Sequence, residues 1–188
     1  MDSTGLNITG RVVIRNNRIY RNDVVVFETG EDQSLPDFLR AAYDHFSGHY
    51  PKFHKMDHLS KLGWLAAEAL LQHRPFTGYA PEQVGLILAN RSASLDTDLR
   101  YFDSIKEFPS PALFVYTLAN IVMGEISIRH GFKGENAFFT SDTYDEALLM
   151  NYTKQLLTEG AVSAVLCGWV EVMGSEYEVI LHQVEGIQ

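Results

Sequence analysis

Between Gly131 and Glu171 the chain reads GFKGENAFFTSDTYDEALLMNYTKQLLTEGAVSAVLCGWVE. A Lys133-Gly134-Glu135-Asn136 turn leads into a short apolar strand, Ala137–Thr140. A polar break follows, Ser141-Asp142-Thr143, and then a helix from about Tyr144 to Leu157. Glu159-Gly160 ends that helix, glycine being the common residue after a helix C-terminus. A second apolar strand, Val162–Cys167, closes on Gly168-Trp169-Val170-Glu171. Two apolar strands joined through one helix must bury their faces in layers, which restricts the chain to a layered α/β fold.

The remaining chain agrees. Arg11–Arg15 and Arg18–Arg21 flank Asn16-Asn17, and two asparagines tolerate the positive φ of a tight hairpin. Val24–Phe27 is a further strand or a continuation. Ser34–Phe46 spaces Leu35, Phe38, Leu39, Ala42, Tyr43 and Phe46 as a helix does, with Pro36 in the first turn and a break over Gly48–Pro51. Asp57–Leu71 reads as a long helix. Pro75–Pro81 is a loop, and Val84–Ala89 (VGLILA) is a strand buried on both faces. Arg91–Asp98 is loop-like, with a short helix near Leu99–Lys106. Leu113–Arg129 reads as one helix, apolar all round and therefore deeply buried. Tyr177–Val184 alternates imperfectly, as a strand at a sheet edge.

This series resembles the middle of the β-ketoacyl synthases of the thiolase-like superfamily. Their pattern is a Gly-containing turn, a strand, an elbow with a nucleophilic Cys, a helix, a Gly, and a strand closing on Gly-Gly-x-Glu. From Gly134 through Gly160 and Gly168 to Glu171 the spacing matches without a gap. Phe108-Pro-Ser-Pro-Ala and Leu118-Ala-Asn-Ile-Val-Met-Gly-Glu are similar to the segment before the elbow, with Asn120 as its usual Asn. His54–Leu71 looks like the family's first long helix. The likeness runs from about Val12 to Glu171 and is most specific from Pro109 onward. It implies a single domain, 1–188, built as a thiolase-like half: three layers, with a mixed five-stranded sheet and helices on both faces. It also implies that Leu113–Arg129 lies in the layer that a second half would cover. A bare apolar layer would call for self-association or a partner, and Ala137–Thr140 would pair across the dimer two-fold.

The departures from the family concern its chemistry. The family's nucleophilic Cys falls on Thr143. A Cys at a helix N-terminus is activated as thiolate, whereas a Thr hydroxyl needs an adjacent base. Cys167, the single thiol, lies in the apolar run VSAVLCGW and reads as a core residue. The family's two His, or His and Asn, belong to a second half-domain expected to be missing, since the numbering stops at Gln188. The resemblance therefore implies a non-condensing accessory subunit, comparable to chain-length factors, in fatty-acid- or polyketide-type (polyene) biosynthesis. It would form a homodimer or a heterodimer with a ketosynthase. Two alternatives stay open: a module that binds acyl thioesters or an acyl carrier protein, and half of a split acyltransferase completed by another chain. Thr143, with Asn120, Asp142 and Gly168 as pocket candidates, forms the candidate site.

Composition narrows the partners. With 46% hydrophobic residues the 188-residue chain can bury a substantial core, and its net charge is −9. That charge argues against nucleic acid and against an anionic membrane surface. It leaves an acyl carrier protein possible, although carriers are usually acidic and favour basic patches. The start, MDSTGLNITG, lacks a basic stretch and an apolar core, so no signal peptide is expected. No apolar run reaches the ~20 residues of a membrane span. A cytoplasmic protein without internal disulfide is the expectation.

Each remaining constellation has a simpler reading. Ser141-Asp142-Thr143 with Glu146 fits a capping box on Thr143, and carboxylates there would oppose an oxyanion. His45/His49 and His54/His58 are i, i+4 pairs that could face a metal, but Gly48 and Pro51 interrupt the first and HExxH is absent, so no metal or cofactor is expected. Phosphate-loop motifs are absent. Trp64 and Trp169 read as core or interface. Asn90-Arg91-Ser92, at the carboxyl end of VGLILA, is the edge at which α/β sheets hold ligands.

Overall fold

A computed structural model describes residues 6–46, 49–73 and 75–186. Gly48, expected to break the first helix, lies outside them, as do residues 1–5 of the start that was read for a signal peptide. The chain opens as a meander of β1 (Asn7–Arg15), β2 (Arg18–Arg21) and β3 (Val24–Glu28). Two-residue turns join the strands, Asn16-Asn17 at φ 51 and 56 and Asn22-Asp23 at φ 49 and 65, the left-handed conformation that Asn and Asp adopt most readily. Next come α1 (Leu35–Phe46), α2 (His58–Leu71), β4 (Val84–Asn90), α3 (Leu95–Ser104), α4 (Pro111–Val115) and α5 (Ile121–His130). The chain ends with β5 (Asn136–Thr140), α6 (Glu146–Thr158), β6 (Ala164–Met173) and β7 (Glu176–Glu185).

The strands form a seven-stranded sheet in the order β3-β2-β1-β7-β6-β4-β5. β4 runs parallel to β5 and β6, and the other pairs are antiparallel. Among the described residues the sheet is mixed as expected but has seven strands, not five, because the two turns fold β2 back beside β1 and β3 back beside β2. A second correction concerns β7. It was expected at an edge, yet it lies between β1 and β6, with Val179, Leu181 and Val184 at 0% exposure. Its alternation is imperfect because both of its faces are covered.

One face of the sheet carries α1, α2 and α5. Leu62, Trp64, Leu65 and Ala66 of α2 are fully buried, since the helix is enclosed by sheet and neighbouring helices, and Trp64 is core. Gly63 admits α5: a β-carbon there would lie 2.5 Å from Val122 Cγ2. Buried Glu68 on α2 accepts from Arg129 Nε at 2.7 Å and Nη2 at 3.1 Å. The Arg129 guanidinium lies over the Tyr50 and Trp64 rings, 5.5 and 5.6 Å from their centres.

The segment expected as one buried helix, Leu113–Arg129, is two helices, α4 and α5, joined by a turn. The Tyr116 hydroxyl reaches inward to donate to Glu125 Oε1 at 2.9 Å, while Phe114, Val115 and Leu118 face solvent. In one continuous helix residues nine apart point to opposite sides, so the Tyr116–Glu125 hydrogen bond requires the break. α3 likewise begins at Leu95 rather than Leu99.

The opposite face carries α6, whose Leu149, Met150 and Leu156 pack with Val165, Cys167, Trp169 and Ile180. The helix starts at Glu146, and its cap is Asp145, whose Oδ1 accepts from Leu148 N at 2.9 Å. The capping box expected on Thr143 is corrected accordingly. The bare layer was expected over Leu113–Arg129, but α5 shares its layer with α2. The thin layer is α6, whose outward face carries the polar Asn151, Lys154, Gln155 and Thr158, with Ala147 and Leu148 exposed in its first turn.

Candidate functional site

β4 runs parallel to β5 and β6; β4 and β5 end side by side at Asn90 and Thr140, and β6 continues past them from Trp169. The loop leaving β4, the elbow after β5 and the end of β6 therefore meet at one edge of the sheet. A cavity of ≈ 300 Å³ opens there, lined by Arg91, Asp142, Thr143, Trp169, Glu171 and Tyr177 among others. Glu171 shapes it. Its Oε2 accepts from the backbone nitrogens of Arg91 at 2.8 Å and Ser92 at 3.1 Å, pinning the loop after β4. Asn90 closes the same loop by exchanging hydrogen bonds of 2.9 Å with Ala93, which sits at φ 49.

Of the residues read from the sequence, Asp142 and Thr143 line this cavity together, and both are exposed. Asn120 does not join them; it is exposed at the start of α5 and lines a separate cavity of ≈ 280 Å³ with Met123, Phe132 and Gly134. Gly168 is inside the sheet, opposite Leu181, where a β-carbon would stand 1.9 Å from the Ile180 carbonyl oxygen. The expected pocket wall, Asn90-Arg91-Ser92, contributes Arg91.

The cavity is acidic. Asp142, Glu171, Glu176 and Glu178 face one cation, Arg91. Ser141 Oγ donates to the Thr143 carbonyl at 2.8 Å, so its hydroxyl serves the backbone rather than activating Thr143. An anionic intermediate at Thr143 would face repulsion from these carboxylates.

Beside the elbow, under α6, lies a cluster that no sequence motif marks. The Tyr144 hydroxyl and His182 Nε2 are 3.1 Å apart, and Cys167 is the cross-strand neighbour of His182. A thiol beside an imidazole is the raw material of a reactive cysteine, but here burial works against it. Cys167 is at 0% exposure, and desolvation pushes its thiol up to about 12. Desolvation also lowers the His182 imidazole and raises the Tyr144 hydroxyl, so the neutral forms are favoured throughout. Iodoacetamide at pH 8 is therefore expected to leave native Cys167 unmodified while alkylating it readily in urea; mass spectrometry of both reactions checks this, and rapid native labelling would contradict the burial.

The histidines of the two helical pairs occupy different settings. His45 packs at a tilt against Phe27, His54 meets the edge of Tyr43, and His58 Nδ1 is 3.6 Å from Asp96. Among the described residues no three His, Cys, Asp or Glu converge as a metal site. Nor does any helix among them have the length and apolarity to cross a membrane.

No family model matches the sequence, and no curated protein does. Solved structures do. The chain is similar to the ishigamide ketosynthase/chain length factor, with 18% identity and a TM-score of 0.69 over 96% of this chain and 62% of that one. It is similar to a structure of a ketosynthase in complex with its chain length factor from Xenorhabdus doucetiae, with 11% identity and a TM-score of 0.63 over 97% of this chain and 79% of that one. A β-ketoacyl synthase from Burkholderia phymatum matches with 12% identity and a TM-score of 0.63 over 97% and 59%. At such identities the likeness shows the fold, which is that of ketosynthases and their chain-length factors. The chain spans 62% of the first of these structures.

Proposed function

We propose that this chain is a non-condensing, chain-length-factor-like subunit that pairs with a ketosynthase in fatty-acid- or polyketide-type (polyene) biosynthesis. The observation that carries the reading is the elbow. The position at which the resemblance puts the nucleophile holds an exposed Thr143 among carboxylates, and the chain's one thiol is sealed in the core. Ketosynthase and chain-length-factor complexes among the structures of the same fold support the pairing. The acidic lining speaks against a phosphopantetheine thioester at the elbow, which the acyl-carrier module would require, and against the split acyltransferase, which needs an oxyanion stabilised there.

A condensation assay with malonyl and acyl thioesters tests the reading on the chain alone, on a ketosynthase from the same organism, and on the pair. Turnover is expected for the pair and none for the chain alone; condensation by the chain alone would overturn the proposal. Thr143→Ala is expected to leave the turnover of the pair unchanged, since losing a working nucleophile typically costs on the order of 10⁶-fold.

A further inference from the structure

The cavity beside the elbow holds more negative charge than its own residues offset. Four carboxylates line it, Asp142, Glu171, Glu176 and Glu178, with one guanidinium, that of exposed Arg91. Among the described residues none of the four forms an ion pair. The sheet forces two of them together. β6 and β7 pair Glu171 directly with Glu178, so both side chains leave the same face, and like charges directly opposite destabilise a strand pair.

Glu171 adds a second observation, independent of the charge. It is 8% exposed. Its Oε2 is taken by the Arg91 and Ser92 backbone nitrogens. Its Oε1 is buried and has no hydrogen-bond partner among the described residues. Strand alternation turns Trp169, Glu171 and Met173 to one face, and all three line the cavity. A buried carboxylate oxygen without a donor is costly, and a cation bound in the cavity removes that cost.

We propose that this cavity binds a primary alkylammonium group, carried by a small diamine or by a lysine side chain, with Glu171 Oε1 as its buried acceptor. The site goes beyond the ketosynthase pairing and does not depend on it. The lining selects the class of cation. Among the described residues no three His, Cys, Asp or Glu converge as a metal site, so the carboxylates are spread along the cavity rather than focused on one ion. A guanidinium recognises a carboxylate best through both oxygens, and Glu171 has only one to give. An ammonium needs one oxygen for each N–H and can turn its three donors to separate carboxylates. Its alkyl stem packs on apolar surface, which Trp169 and Met173 supply in the same ≈ 300 Å³ space.

Calorimetry and thermal melting of the full chain test this with four probes: 1,4-diaminobutane, Nα-acetyl-lysine methylamide, N-methylguanidine and magnesium chloride. The buffer holds roughly 0.15 M salt, which screens attraction to the surface at large. Saturable one-to-one binding of both amines is expected, with a raised melting temperature, and weaker binding of the other two. Tighter binding of the lysine amide would assign the site to a protein's lysine, tighter binding of the diamine to a free amine, and either supports the ammonium site. Glu171→Gln keeps an acceptor for the loop after β4 and should weaken amine binding about tenfold or more, as loss of a charge-assisted hydrogen bond does. Glu178→Gln, which removes no hydrogen bond of the fold, should do the same and keeps the test open if the first variant is unstable. Without ligand, Glu178→Gln should melt no lower than the wild type, because the repulsion across the strand pair is relieved. Asp44→Asn removes the same charge from exposed α1, on the other face of the sheet, and should bind as the wild type does. Equal weakening by Asp44→Asn and Glu178→Gln would reduce the effect to the chain's overall charge and overturn the site. Magnesium or N-methylguanidine bound as tightly as the amines would overturn the ammonium assignment, and no saturable binding of either amine would sink the proposal.

Discussion

Gly168→Ala is expected to leave no soluble, folded protein. The added β-carbon would stand 1.9 Å from the Ile180 carbonyl oxygen and 2.9 Å from Leu181 Cα. Both obstacles are backbone, so no rotamer relieves them. β6 and β7 are paired along their whole length, from Ala164 opposite Glu185 to Met173 opposite Glu176. β7 is also locked to β1 on its other side. Moving the strands apart would break a ladder at the centre of the sheet. The cost should exceed about 4 kcal/mol, the size reserved for severe core lesions, against a total stability typically of ~5–15 kcal/mol. Soluble yield and the urea midpoint read the effect. A soluble variant with a wild-type midpoint would show that the strands are not this close. The test also settles what kind of residue Gly168 is, because a pocket residue could be lost without unfolding the chain.

The second large effect is expected at Arg129. Arg129→Ala removes the bidentate partner of Glu68, which is 2% exposed. A buried carboxylate would be left facing His130 Nε2 at 3.3 Å, and burial lowers the tendency of that imidazole to carry charge. The variant also loses the guanidinium lying over the Tyr50 and Trp64 rings. Breaking a buried pair costs ~3–5 kcal/mol, and since the guanidinium side chain is 31% exposed the low end, about 3 kcal/mol, is expected. Glu68→Leu with Arg129→Leu should recover part of that loss, because replacing both charges leaves neither one unpaired. Chemical denaturation of the single and double variants measures this. A single variant as stable as the wild type would show that the clamp between α2 and α5 contributes nothing.

Much of the element sequence was legible because its signals are local. The asparagine turns, the periodicity of α1 and α2, and the apolar runs of β4 and β6 depend on neighbours a few residues away. The elbow was legible from spacing, which placed Asp142 and Thr143 beside each other on one cavity. Asn120 and Gly168 were read from the same series but lie elsewhere. Glycine is silent in sequence about whether it opens a pocket or admits a neighbouring strand. The cap of α6 moved from Thr143 to Asp145 because several polar residues in a row could each accept from the first turn. The break between α4 and α5 was illegible, since no proline or glycine marks it and the inward pull on Tyr116 comes from Glu125, nine residues away.

What the sequence alone determined is the alternation of strands and helices, the absence of a thiol at the elbow, and the acidic charge. These follow from residue identity and local spacing. Only the tertiary structure decided that β7 lies at the centre of the sheet, that Cys167 is buried beside His182, and that α3 and α4 expose Leu95, Leu99, Phe102 and Phe114. Each depends on which surfaces meet across long sequence separations, where burial sets both the ionisation of a group and the face it can offer to a partner.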